Sequence, residues 1–211
     1  MERLKIEYAE ATAFIKSIKW TLLITALLFF AIAIGSHFAF WAAIEANPDT
    51  VNEIMSELES LFLESKDIVN DEGDIHPVKL FFNNVIASVF STALGFIPFL
   101  FIPALALFTN AALMGAMTSL LKYMQLDVFL HLLVAVVPHG IFEIPALIIS
   151  LACGFLLCKE LTSKCFHRNR RPIIPLIGEL ARVLVLIVVP LLALAAVIET
   201  YITPLFITLI K

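Results

Sequence analysis

Charge is scarce in this chain: only 15% of its 211 residues are Asp, Glu, Lys or Arg, against 61% that are hydrophobic. A water-soluble domain could not hide that much apolar surface. Glycine occurs only seven times and never as a phosphate-cradling loop, which removes the nucleotide-binding loop folds. The three cysteines, Cys153, Cys158 and Cys165, form no Cys-x-x-Cys pair. Neither a disulfide framework nor a zinc site is indicated, and packing is their expected role. No serine sits in a Gly-x-Ser-x-Gly elbow and no His-Glu-x-x-His occurs, so hydrolytic chemistry has no support. Nucleic-acid-binding patterns are also missing, and neither a cofactor nor a metal is expected.

What the chain does have is long apolar runs. They extend over about 18 to 25 residues, enough to cross a hydrocarbon core of about 30 Å. In lipid every backbone N–H and C=O must be paired within the chain, and these unbroken runs do not alternate as barrel strands do. Helices are therefore the spanning elements. The expected fold is all-α, a polytopic transmembrane helix bundle of about five crossings forming a single membrane domain over residues 1–211.

The signs of charge are segregated along the chain, and this orients it. Residues 1–19 read as a cytoplasmic amphipathic segment, with Leu4, Tyr8, Ala11, Ile15 and Ile18 on a helical stripe and Arg3, Lys5, Lys16 and Lys19 among them. The first crossing, 20–44, is too long for the core of a cleaved signal peptide. An external acidic loop follows at 45–77, with ten of the eighteen acids (Glu45, Asp49, Glu53, Glu57, Glu59, Glu64, Asp67, Asp71, Glu72 and Asp74) and one base, Lys66. After the helix-start signal Asn47-Pro48, its apolar residues Val51, Ile54, Met55, Leu58, Leu61, Phe62 and Ile68 share one face, which predicts an external amphipathic helix docked on the protein's own crossings or on another protein. The run Asn70-Asp71-Glu72-Gly73-Asp74 lacks calcium-loop spacing and reads as a solvated turn.

Crossings at 78–96 and 98–121 form a hairpin around Gly95-Phe96-Ile97-Pro98. The stretch from Val128 to Cys158 is too long for one straight crossing and too short for two. It is read as a broken or re-entrant helix, with a short interfacial helix at 128–137, a break at Pro138-His139-Gly140 and a fourth crossing at 141–158. The loop 159–178 carries Lys159, Lys164, Arg168, Arg170 and Arg171 against the single acid Glu160 in its first part, which makes it cytoplasmic. A last crossing at 180–198 places the N-terminus in the cytoplasm and the C-terminus outside a cell membrane.

Polar groups inside such runs need a reason to be there. His139 and Glu143 stand four residues apart and share one helix face, where they can bind a metal, relay protons or simply hydrogen-bond carbonyls freed by the neighbouring prolines. A metal would need further ligands, and His131 and Glu179 are not at a recognised spacing. Asn83, Asn84 and Asn110 are amides that can bridge helices. Arg182 could pair with Glu143 or reach to the cytoplasmic surface. These six residues, Asn83, Asn84, Asn110, His139, Glu143 and Arg182, make up the candidate buried polar cluster. Gly95, Ala112, Gly115, Gly154 and Gly178 mark close helix approaches.

The string from Pro138-His139-Gly140-Ile141-Phe142-Glu143-Ile144-Pro145 to Ser150, with Phe82-Asn83-Asn84 and Gly95 before it and Gly154 after it, resembles the stage II sporulation protein M family. That resemblance implies a non-enzymatic membrane anchor. In endospore formers the founding member is such an anchor, holding two peptidoglycan-degrading proteins during engulfment. The expected function is accordingly a scaffold in the lipid bilayer for membrane or extracytoplasmic protein partners, with a homo-oligomer compatible and no nucleic acid involved. The alternative is a small-solute or ion transporter or channel, in which the broken helix opens a cavity lined by Asn83, Asn84, His139 and Glu143. An intramembrane metal-dependent enzyme trails both for want of ligands.

Overall fold

A computed structural model describes residues 2–56, 76–166 and 172–208. In chain order, helix α1 (Glu2–Ser17) precedes the first long helix, α2 (Lys19–Ala46). A further helix, α3, begins at residue 50 and is described as far as residue 56. Then come α4 (Pro77–Phe96), α5 (Pro103–Tyr123), α6 (Val128–Cys165) and α7 (Ile173–Thr208). Among the described residues there is no strand, and five helices (α2, α4, α5, α6 and α7) are long and apolar enough to cross a membrane. Their starts follow from local chemistry. Pro77 and Pro103 open α4 and α5, where proline's missing N–H has no partner to lose. Asp127 caps α6, its Oδ1 accepting the Leu130 N–H at 2.9 Å.

Two pairs of helices run side by side in the same direction. Along α2 and α5, Phe29 packs on Leu107 and Ala111, and further on Ile44 packs on Ala116 and Leu120. Gly115 lets the two backbones touch, since an added Cβ would lie 2.7 Å from the Ala33 oxygen and the His37 nitrogen. Beside it Ser119 Oγ donates to the His37 carbonyl at 2.8 Å, and His37 Nδ1 lies 3.0 Å from Thr118 Oγ1. Lys122 Nζ then sits 3.8 Å from the centre of the Trp41 ring. Along α4 and α6, Thr92 Oγ1 donates to the Ser150 carbonyl at 2.9 Å and Cys158 Sγ to the Ile97 carbonyl at 3.4 Å. Interhelical bonds of this kind contribute about 0.6 to 2 kcal/mol each where lipid offers no competing partner. α7 runs antiparallel to α6: Leu180 and Val183 pack with Cys153 and Leu157, whereas Val188 and Leu192 pack with Ala146.

The discontinuity expected at Pro138-His139-Gly140 takes a milder form than a break. α6 is one continuous helix of 38 residues, without a separate re-entrant piece at 128–137. Its irregularity is a π-wound turn at Leu132–Val136, where the Val137 N–H reaches back five residues to the Leu132 carbonyl. The same device recurs twice in α7. π-wound turns at Leu184–Val188 and Ile198–Ile202 are closed by Val189 N–H to Leu184 and by Thr203 N–H to Ile198. Each turn ends two residues before a proline, namely Pro138, Pro190 and Pro204. A helical proline has no N–H and its ring presses on the carbonyl four residues back. Widening the preceding turn relieves the clash without interrupting the helix.

Near the chain start, α1 packs on the protein, with Ala11 and Phe14 buried against Leu176 and Leu180 of α7. Arg182 holds it there: Nε lies 2.6 Å from Glu7 Oε2 and Nη1 3.0 Å from Glu10 Oε2. Arg182→Met is expected to loosen α1, raising its amide exchange severalfold while exchange in α5 stays unchanged. Equal exchange rates in α1 of both proteins would show that the ion pairs add nothing to docking. At the other end of α2, the described start of the external helix also docks inward, Val51 and Ile54 packing on Ile44, Ala116 and Leu120. The remainder of that amphipathic helix, the Asn70 to Asp74 turn, and Arg168, Arg170 and Arg171 lie outside the described residues.

Candidate functional site

Two half-buried acids, Glu143 of α6 and Glu199 of α7, meet beside His139. His139 follows Pro138 directly, and Glu143 lies one turn further along α6 on the same face. From α7, Glu199 sits inside the turn Ile198–Ile202. One ligand-type atom from each of His139, Glu143 and Glu199 lies within 4.8 Å of the others. His139 Nε2 is 4.0 Å from Glu143 Oε2, too long for a direct hydrogen bond. On the opposite edge of the ring, Nδ1 is 3.5 Å from the hydroxyl of buried Thr203. The imidazole is thus held between a neutral hydroxyl and two carboxylates.

These groups line a cavity of about 470 Å³ whose other walls include Asn110, Met114, Met117, Thr118 and Gly140. Apart from the neutral polar groups of Asn110, Thr118 and Thr203 its wall is apolar, so a charge placed there is stabilised chiefly by the cluster itself. Two carboxylates at this separation cannot both stand as bare anions at low cost, and a proton or a cation between them restores the balance. The arrangement is suited to binding and releasing a small positive species.

Of the six polar residues picked out by sequence, three come together in this cavity: Asn110, His139 and Glu143. Asn110 spends its Nδ2 on the Ala106 carbonyl of its own helix, at 2.8 Å. Asn83 is exposed and Asn84 is half-buried, its Nδ2 without a hydrogen-bond partner among the described residues. Neither lines the cavity. Arg182 lies in a separate groove with Glu10 and Glu179 and does not reach Glu143. Glu160, grouped by sequence with the basic loop, is buried at the end of α6.

Glu199 is the residue that sequence reasoning missed. The last crossing read from sequence ends at Ile198, one residue short of the acid. The signal that could have found it is the apolar run that resumes beyond it at Tyr201-Ile202-Thr203-Pro204-Leu205-Phe206-Ile207.

A family model described as "Stage II sporulation protein M" matches residues 11–204, nearly the whole described chain. No curated protein and no solved structure matches.

Proposed function

Because the chain belongs to the stage II sporulation protein M family and is a multi-pass integral membrane protein, we propose that its task is carried out inside the bilayer, in the His139–Glu143–Glu199 cavity. There it takes up a small cationic solute or ion and passes it across the membrane. The single observation that supports this reading is the meeting of an imidazole and two carboxylates, from two helices, in one cavity. Ionisable groups at membrane depth are costly and mark ion or proton pathways in transporters. Irregular winding next to the binding groups is the form such pathways take in helical carriers. The protein carries its ligand and does not transform it.

Lysine and arginine bias supports an N-terminus in the cytoplasm and a C-terminus outside a cell membrane. On that orientation the cluster lies in the outer half of the bilayer, since Glu199 is nine residues from the end of α7 at Thr208.

A second role, as an anchor for membrane or extracytoplasmic protein partners or for a second copy of the chain, is favoured by a different observation. Val51 and Ile54 pin the start of the acidic segment to the bundle.

One comparison separates the two. In proteoliposomes Glu143→Gln is expected to cut cation flux at least tenfold while the protein stays monodisperse and pull-down of its partners is unchanged. Unchanged flux together with lost pull-down would overturn the transport reading in favour of the anchor.

A further inference from the structure

We propose that His139, Glu143 and Glu199 form a binding site for a divalent first-row transition metal such as Zn²⁺, Mn²⁺ or Fe²⁺. The inference rests on the reading of the cavity as a cation site and names the class of cation. One nitrogen and two carboxylate groups converge to within 4.8 Å. Such ions bind imidazole nitrogen at about 2.0–2.1 Å and carboxylate oxygen at about 2.0–2.2 Å. Two ligands of one ion therefore stand about 3 to 4 Å apart, and the 4.0 Å between His139 Nε2 and Glu143 Oε2 falls in that range.

Thr203 supplies an independent observation. With its hydroxyl 3.5 Å from Nδ1, the tautomer in which Nδ1–H donates to Thr203 leaves the Nε2 lone pair on the side of Glu143. Metal-bound histidines are held by this kind of outer partner, which fixes both ring orientation and tautomer. The backbone adds a third. Glu199 sits inside one proline-linked π-wound turn and His139 lies three residues beyond another, a feature that is frequent at functional sites.

The donor set selects the ion. Imidazole favours transition metals over Mg²⁺ and Ca²⁺, which prefer all-oxygen shells. Two carboxylates balance a divalent charge in apolar surroundings, which a monovalent ion would leave half uncompensated. The open cavity beside the cluster leaves room for water or a further small ligand to complete the coordination.

The test uses full-length, untagged protein, stripped with chelator and purified in detergent, titrated with Co²⁺ and followed by its visible absorption, with Zn²⁺ as competitor. One equivalent is expected to bind at micromolar or tighter affinity, unaffected by millimolar Mg²⁺ or Ca²⁺. His139→Ala, Glu143→Gln and Glu199→Gln should each weaken it at least tenfold, and the control His76→Ala, at an exposed histidine, should not. Zn²⁺ should also raise the melting temperature of the parent protein and not that of Glu199→Gln, a readout independent of transport. Absence of stoichiometric binding, or binding that survives all three substitutions, would overturn the proposal. Monovalent-cation flux without metal binding would remove the metal and leave the transport reading, whereas metal binding without any flux would do the reverse.

Discussion

Gly154→Val is expected to prevent the protein from being purified as a monodisperse species, or to lower its melting temperature by about 6 to 12 °C if it survives. At the crossing of α4 and α6 the two backbones are in contact. A Cβ on Gly154 would lie 2.6 Å from the Ser91 carbonyl oxygen and 3.2 Å from Pro103 Cγ, and one on Gly95 would collide with the Gly154 carbonyl. None of these obstacles is the free end of a flexible side chain. The helices cannot slide apart cheaply either, because Thr92 holds Ser150 on one side of the crossing and Cys158 holds Ile97 on the other. Overpacking costs about 1 to 3 kcal/mol where side chains can adjust and more where backbone must move. About 3 kcal/mol corresponds to the stated shift for a chain of this size. The comparison is Gly35→Val, since a Cβ there meets nothing within 4 Å, and that variant should melt close to the parent. If Gly154→Val behaves as Gly35→Val does, α4 and α6 do not pack as described.

That contact was legible in the sequence only as small residues spaced along apolar runs, whereas the five spans were legible outright. Run length against bilayer thickness decides a crossing without reference to any neighbour, and the i, i+4 spacing of His139 and Glu143 depends on helix geometry alone. The less legible features are those that depend on partners distant in the chain. Arg182 has Glu179 three residues away, yet its closest contacts are Glu7 and Glu10, the nearer of them 175 positions earlier. Glu199 joins Glu143 only because α7 continues past an acid that reads locally as its end. Proline misleads in a similar way. Pro138 suggests a broken helix when its local cost is all that is considered, but a single wide turn absorbs the clash, and the same solution at Pro190 and Pro204 makes it a property of this bundle. The residues before the three prolines, Val136-Val137, Val188-Val189 and Ile202-Thr203, are all β-branched, and Pro145, which follows Ile144 and Glu143, has no such turn before it.

Glu199→Gln is expected to act in opposite directions on stability and on function. In chelator-stripped protein at a pH high enough to ionise both, the two carboxylates face each other across at most 4.8 Å in surroundings that screen poorly. Their repulsion, discounted for the partly exposed Glu143, is on the order of 1 to 3 kcal/mol. Removing one charge should raise the melting temperature by about 3 to 10 °C. The same change takes away the second acidic partner for a cation, so flux in proteoliposomes should fall at least tenfold. Saturating Zn²⁺ is then expected to reverse the order of stability, because an ion that binds only the folded parent stabilises it by about 2.7 kcal/mol at a hundredfold excess over its dissociation constant, while the variant gains nothing. A group retained for packing would show the contrary pattern, with Glu199→Gln melting below the parent under chelation and the gap unmoved by metal. That outcome would make the acid a structural element of α7, and the cavity would lose the charge balance that makes it a cation site.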